Sequence, residues 1–203
     1  MRALLAIARR IDGLNEQIGA ACAWLTLLMV VVGAVNAVAR HLDRAIGTSM
    51  SSNAFIEAQW YMFSLVFLLG AAYTLKRDEH VRVDVIFGRL GPRAKAWIDL
   101  VGAALLLLPF CGVMLWMSLP SVLTSIEIRE GSPDPGGLPR YPLKAVVLVA
   151  FALLFVQGLA VIIKQVARLR GIDDPRPPDP PDPPDLADPR SGPPERGAGE
   201  EAL

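Results

Sequence analysis

The chain has 203 residues, 53% of them hydrophobic, with a mean hydropathy of +0.41 and a formal net charge of zero. That composition excludes an ordinary water-soluble domain, whose apolar residues would be interrupted by polar ones at helical or strand period. Both cysteines, Cys22 and Cys111, fall inside apolar runs, which excludes a disulfide framework and a cysteine metal site.

The apolar residues collect in four blocks, 18–39, 54–75, 96–119 and 143–163. Each is near the roughly 20 residues that an α-helix needs to cross hydrocarbon. The expectation is an all-α membrane protein with four transmembrane helices, interfacial amphipathic helices and a disordered C-terminal tail. Ahead of the first block, Leu4, Ile7, Ile11, Leu14 and Ile18 recur at steps of three and four, while Arg2, Arg9, Asp12 and Glu16 lie on the opposite face. The spacing predicts an interfacial helix over 1–17 with its basic face toward headgroups. The first span contains Asn36 and ends at Arg40, His41, Asp43 and Arg44, followed by a small polar loop over 46–53. The second span opens on Glu57, Gln59, Trp60 and Tyr61 and stops at a dense charge cluster running from Lys76 through His80 and Arg82 to Asp84. Aromatic rings that are apolar in body and polar at the tip belong where bilayer meets water.

Val83, Ile86, Phe87 and Leu90 share a helical face and predict a second interfacial helix, ended by Gly91-Pro92. Pro109 and Gly112 predict a kink in the third span, because proline lacks a backbone donor and crowds the preceding turn. A polar connection over 121–144 carries Glu127, Arg129, Glu130, Asp134 and Arg140 among prolines and glycines that favour fixed turns. The fourth span ends at Lys164, Arg168 and Arg170. Beyond it, residues 171–203 repeat Pro-Pro-Asp, are strongly acidic and contain too little apolar surface to build a core. The domain organisation is therefore 1–17, then a four-helix membrane domain over 18–170, then the tail. Lysine and arginine are denser on the side bearing both termini, which the positive-inside rule places in the cytoplasm.

Groups able to do chemistry are sparse. His41 and His80 are expected at opposite membrane boundaries, no serine or cysteine stands beside a base, and no glycine loop cradles phosphate. An enzyme is not expected, nor is a cofactor, a resident metal or a nucleic-acid partner. Glu57, about one turn inside the boundary, is either a contact to another subunit or ion path, or a carboxylate snorkelling toward Arg40 or Arg44. Asp99 is expected to pair with Lys95 or Arg93, and Asn36 and Gln157 to hydrogen-bond between helices.

A span entered by Glu57-Ala58-Gln59-Trp60, continuing through Leu69-Gly70-Ala71-Ala72-Tyr73-Thr74-Leu75 to His80-Val81-Arg82-Val83-Asp84, resembles the small permease subunit of TRAP transporters, the DctQ-type family. Arg40 at the end of the first span fits as well, and the likeness covers 11–170. The run from Glu127 to Pro139 is similar to the subgroup associated with chloroaromatic, mannitol-type or 2-oxo acid uptake. The resemblance implies a bacterial inner-membrane scaffold for a large permease subunit that carries the substrate and sodium sites. A periplasmic substrate-binding protein would deliver an organic acid to the pair. It places partner contacts at Glu57, Gln59, Trp60, His80, Arg82 and Asp84, and docking of the binding protein at Glu127, Glu130, Asp134 and Arg140. Two alternatives stay open: a self-contained proton-coupled exporter using Glu57 in a homo-oligomer, and a membrane assembly protein recruiting partners through the tail.

Overall fold

A computed structural model describes residues 1–47, 52–77 and 91–172. The expected second interfacial helix, the tail beyond Ile172, and His80, Arg82 and Asp84 lie outside the described residues. Among the described residues there is no strand. The fold consists of four long helices: α1 (Arg2–Ile46), α2 (Asn53–Arg77), α3 (Pro92–Glu127) and α4 (Tyr141–Leu169). All four are long and apolar enough to cross a membrane.

The segment read as an interfacial helix over 1–17 and the first span belong to one continuous helix, α1, of 45 residues. At 1.5 Å per residue it is about 68 Å long, well over the ~30 Å of a hydrocarbon core. The reason is local: no proline interrupts it, and a helix stops only where a cap or a competing contact is worth more than the next backbone bond. It ends where Gly47 takes a left-handed conformation (φ 75°) and its N–H closes on the Asp43 carbonyl. The helix α4 ends similarly at Gly171 (φ 69°), with the Ile172 N–H reaching back to Ala167.

Pro109 does act on α3, but on the turn before it. Residues Gly102–Leu107 widen into π-helical turns, and the Leu108 N–H bonds to the Ala103 carbonyl five residues back. This extra room lets the proline ring avoid the carbonyl it would otherwise strike. The helix then runs through Pro120 to Glu127, eight residues past the expected end. Val122 and Ser125, 4% and 2% exposed, bury those added turns and offset the bond lost at Pro120.

The helices alternate in direction. Glu16 meets Lys76 and Arg77, and Gly33 meets Gln59, so α1 and α2 are antiparallel. Asp12 meets Lys164 and Asn15 meets Gln157, so α4 opposes α1. The helix α4 is central and packs against the other three, with α3 laid along its outer side. Contact surfaces are made of small residues: Ala8, Ala72, Ala103, Cys111, Ala160 and Ala167 are all buried. Small side chains let backbones approach where no water is present to drive association. The large apolar residues point outward instead, with Trp24, Phe67 and Trp116 at 74%, 70% and 80% exposed. This inside-out distribution is that of a multi-pass membrane protein, whose outer solvent is lipid.

Candidate functional site: polar clasps at the two ends of the bundle

The side on which α1 begins and α4 ends is the terminal side; the other, bearing residues 128–140, is the loop side. On the terminal side Asp12, Asn15 and Glu16 occupy one face of α1 at spacings of three and four. That face, read from the sequence as turned to headgroups, is turned to the neighbouring helices. Asp12 pairs with Lys164 at 2.6 Å, and the two side chains are 19% and 16% exposed. Gln157 donates to Asp12 Oδ1 at 3.0 Å and accepts from Asn15 Nδ2 at 2.7 Å. Glu16 bridges to Lys76 and Arg77 at the end of α2. Farther along α4, Gln165 donates to Asp99 of α3 at 3.0 Å and accepts from Arg168 at 3.2 Å. Every helix is thus tied to another by a polar contact; the one at Asp12, Lys164 and Gln157 is the most buried, where an unmade bond is costly, whereas Glu16 and Arg77 are about half exposed.

On the loop side the central residue is Glu57, 3% exposed. Ser132 Oγ donates to one carboxylate oxygen and the Leu138 N–H to the other. Its partners are loop groups, where the sequence reading offered Arg40 or Arg44. The Tyr61 hydroxyl, one turn on, lies 3.2 Å from both the Leu138 and Pro139 carbonyls, and Asn53 donates to Pro135 at 3.2 Å. The loop is preshaped for this. Asp134-Pro135-Gly136-Gly137 closes a turn through the Gly137 N–H to the Asp134 carbonyl at 3.1 Å, with Gly136 at φ 74°. Proline at the second corner and a left-handed glycine at the third are the type II signature.

The opposite end of the loop is held by a second carboxylate. Glu130 accepts from Ser125 Oγ at 2.6 Å and pairs with Lys144, while its carbonyl receives the Arg140 N–H at 2.8 Å. Arg129, at φ 47°, turns the chain out of α3 in the left-handed conformation more usual for glycine. Arg140 lies over the Trp60 ring at 6.0 Å, and Trp60 is edge-on to Tyr61 at 4.5 Å. The four residues expected to dock a partner therefore separate. Glu130 and Arg140 are partly buried braces, whereas Glu127 and Asp134 are exposed, as is Arg129. Gln59 is packed against Gly33 of α1, and Trp60 is 39% exposed. Of the residues that complete the Glu57 clasp, Tyr61 was read from the sequence only as an interfacial ring and Ser132 was given no role, because serine and tyrosine near a boundary have many unremarkable uses.

Two results are expected from these contacts. A Cβ on Gly137 would come within 2.5 Å of Ser132 Cβ and 2.6 Å of Glu57 Oε2. Gly137→Ala should therefore dislodge the loop from Glu57, seen as faster proteolysis across 131–139 with unchanged helix content. The second concerns pH. Lys144, and then Ser125, hold the Glu130 carboxyl below the ordinary value of about 4.3. A carboxyl lowered by folding contributes stability above its unfolded value, and that stability is lost as pH falls through the folded one. Protection of the Arg140 amide, taken relative to its intrinsic exchange rate at each pH, should fall on acidification through and below that range, and Glu130→Gln should flatten the dependence.

Among the described residues no group of three histidines, cysteines or carboxylates could hold a metal ion. No curated protein and no solved structure matches the chain. The family model described as "Tripartite ATP-independent periplasmic transporters, DctQ component" matches residues 29–168, which takes in α1 from residue 29 onward and all of α2, α3 and α4 apart from Leu169. The chain therefore belongs to the DctQ family of TRAP transporter components: it is a small membrane subunit of a transporter and not an enzyme.

Proposed function

We propose that this subunit is a fixed membrane scaffold for a large permease subunit, in sodium-coupled and binding-protein-dependent uptake of an organic acid across a bacterial inner membrane. Both termini and the terminal-side clasp face the cytoplasm, and loop 128–140 faces the periplasm. The observation that carries this reading is the double anchoring of α2. One end is pinned to α1 through Glu16, Lys76 and Arg77, and the other to the loop through Glu57 and Tyr61. A helix held at both ends is suited to presenting a constant surface to a moving partner. Gln59 and Trp60 offer contacts near the loop side, and His80, Arg82 and Asp84 supply contacts at the other end. Glu57 acts on the partner indirectly, by setting the loop.

The scaffold is tested by co-expressing the tagged chain with the large permease subunit and purifying through the tag in mild detergent. Arg82→Ala/Asp84→Ala is expected to lose the large subunit while this chain remains inserted. Retention of the complex with abolished uptake would place these residues in transport and end the scaffold assignment. Docking of the binding protein is assigned to the exposed Glu127 and Asp134. Glu127→Lys/Asp134→Lys should raise the binding-protein concentration needed for half-maximal uptake by roughly tenfold, as expected when like charges face each other across an interface. An unchanged concentration dependence would remove the docking role from this loop.

A further inference from the structure

Between the loop-side parts of α1 and α2 lies an open cleft of about 430 Å³. Asn36, Arg40 and Arg44 line it from successive turns of α1, His41 joins them, and Gln59 enters from α2 over Gly33. Among the described residues no carboxylate lines it. Asn36 is 6% exposed, and among the described residues its Oδ1 has no hydrogen-bond partner. A buried acceptor left unpaired carries its full desolvation cost, so the site favours an occupant that brings a donor. The two guanidiniums favour an anion, and their planar forks suit phosphate oxygens. A carboxylate or a bare phosphodiester would satisfy the arginines but offers Asn36 Oδ1 nothing, since both only accept. Toward the middle of the two helices the surface below the cleft is apolar and open, with Val30 of α1 and Phe63 of α2 at 59% and 58% exposed.

From this juxtaposition we infer that the cleft is a headgroup site for a glycerophospholipid whose phosphate bears a donor-carrying substituent, of the ethanolamine or glycerol kind. The phosphate lies between Arg40 and Arg44, the ammonium or hydroxyl group donates to Asn36, and the acyl chains run down the exposed faces of α1 and α2. A cleft of this size is in the range of small-molecule sites and fits a lipid headgroup. The lipid acts as a filler between α1 and α2 where they otherwise leave a polar gap.

The full chain, reconstituted in bilayer discs holding equal phosphatidylethanolamine and phosphatidylcholine with matched acyl chains, is released into mild detergent for native mass spectrometry. One phosphatidylethanolamine should be retained with about tenfold preference over phosphatidylcholine, whose trimethylated nitrogen has no donor. Asn36→Leu should abolish the preference while still retaining lipid, and Arg40→Gln/Arg44→Gln should lose lipids of both kinds. The wild-type competition decides the matter even where a variant fails to insert. Equal retention of the two lipids by the wild type would overturn the inference. So would retention unaffected by the double arginine change. Displacement of the lipid by millimolar inorganic phosphate or by soluble glycerophosphoethanolamine would assign the cleft to a water-soluble phosphate instead. Displacement by the co-expressed large subunit would assign it to a protein contact, and either result would end the lipid assignment.

Discussion

Lys164→Leu is expected to destabilise the helix bundle by about 3 kcal/mol, at the lower end of what is lost when one member of a buried ion pair is removed. The substitution leaves Asp12, only 19% exposed, without its ammonium partner, and Gln157 Nε2 at 3.0 Å cannot neutralise a full charge. The residual exposure of both side chains places the cost near the lower bound. Asp12→Asn added to Lys164→Leu should recover most of the loss, since no charge then remains to be solvated. The measurement is helix content during denaturant titration in mixed micelles. Equal midpoints for Lys164→Leu and the wild-type chain would show that the pair contributes nothing to the bundle.

Glu57→Ala should release loop 128–140 from α2 with little change to the four helices. Ser132 Oγ and the Leu138 N–H lose their shared acceptor together, and each is then left with at most a neutral partner. Amide exchange at Leu138 is expected to speed up by about tenfold or more, as a donor to a charged acceptor becomes free to open. Glu57→Gln should be intermediate, because an amide presents one accepting oxygen where the carboxylate presents two. Uptake dependent on the binding protein should fall in the same order. A Glu57→Gln chain that lost all transport while keeping Leu138 fully protected would contradict the clasp. It would support Glu57 as a proton-carrying group.

Much of this molecule was legible in its residues because the bilayer is a simple solvent. A span must be apolar over about 20 residues and must satisfy its backbone internally, so four blocks of that length imply four helices. The charge clusters beginning at Lys76 and Lys164 mark the ends of α2 and α4 to within a few residues, with no knowledge of the partners. The turn at Asp134–Gly137 is likewise local chemistry, since proline and glycine carry their backbone preferences with them.

What the sequence could not decide was which polar residues face one another. Asp12, Asn15 and Glu16 lie on one helical face in any reading. Whether that face meets headgroups or the ends of α2 and α4 depends on contacts 60 to 145 positions apart in the chain. The same holds for Glu57: its position one turn into α2 is written in the residues, but Ser132 and Leu138 reach it from 75 and 81 positions away. Among the four loop charges, only the fold separates the braces Glu130 and Arg140 from the exposed Glu127 and Asp134. The length and apolarity of a helix are properties of its own residues, and the bilayer acts on them directly. The direction in which a polar side chain is satisfied depends on which element packs beside it, and that is set only when the helices assemble.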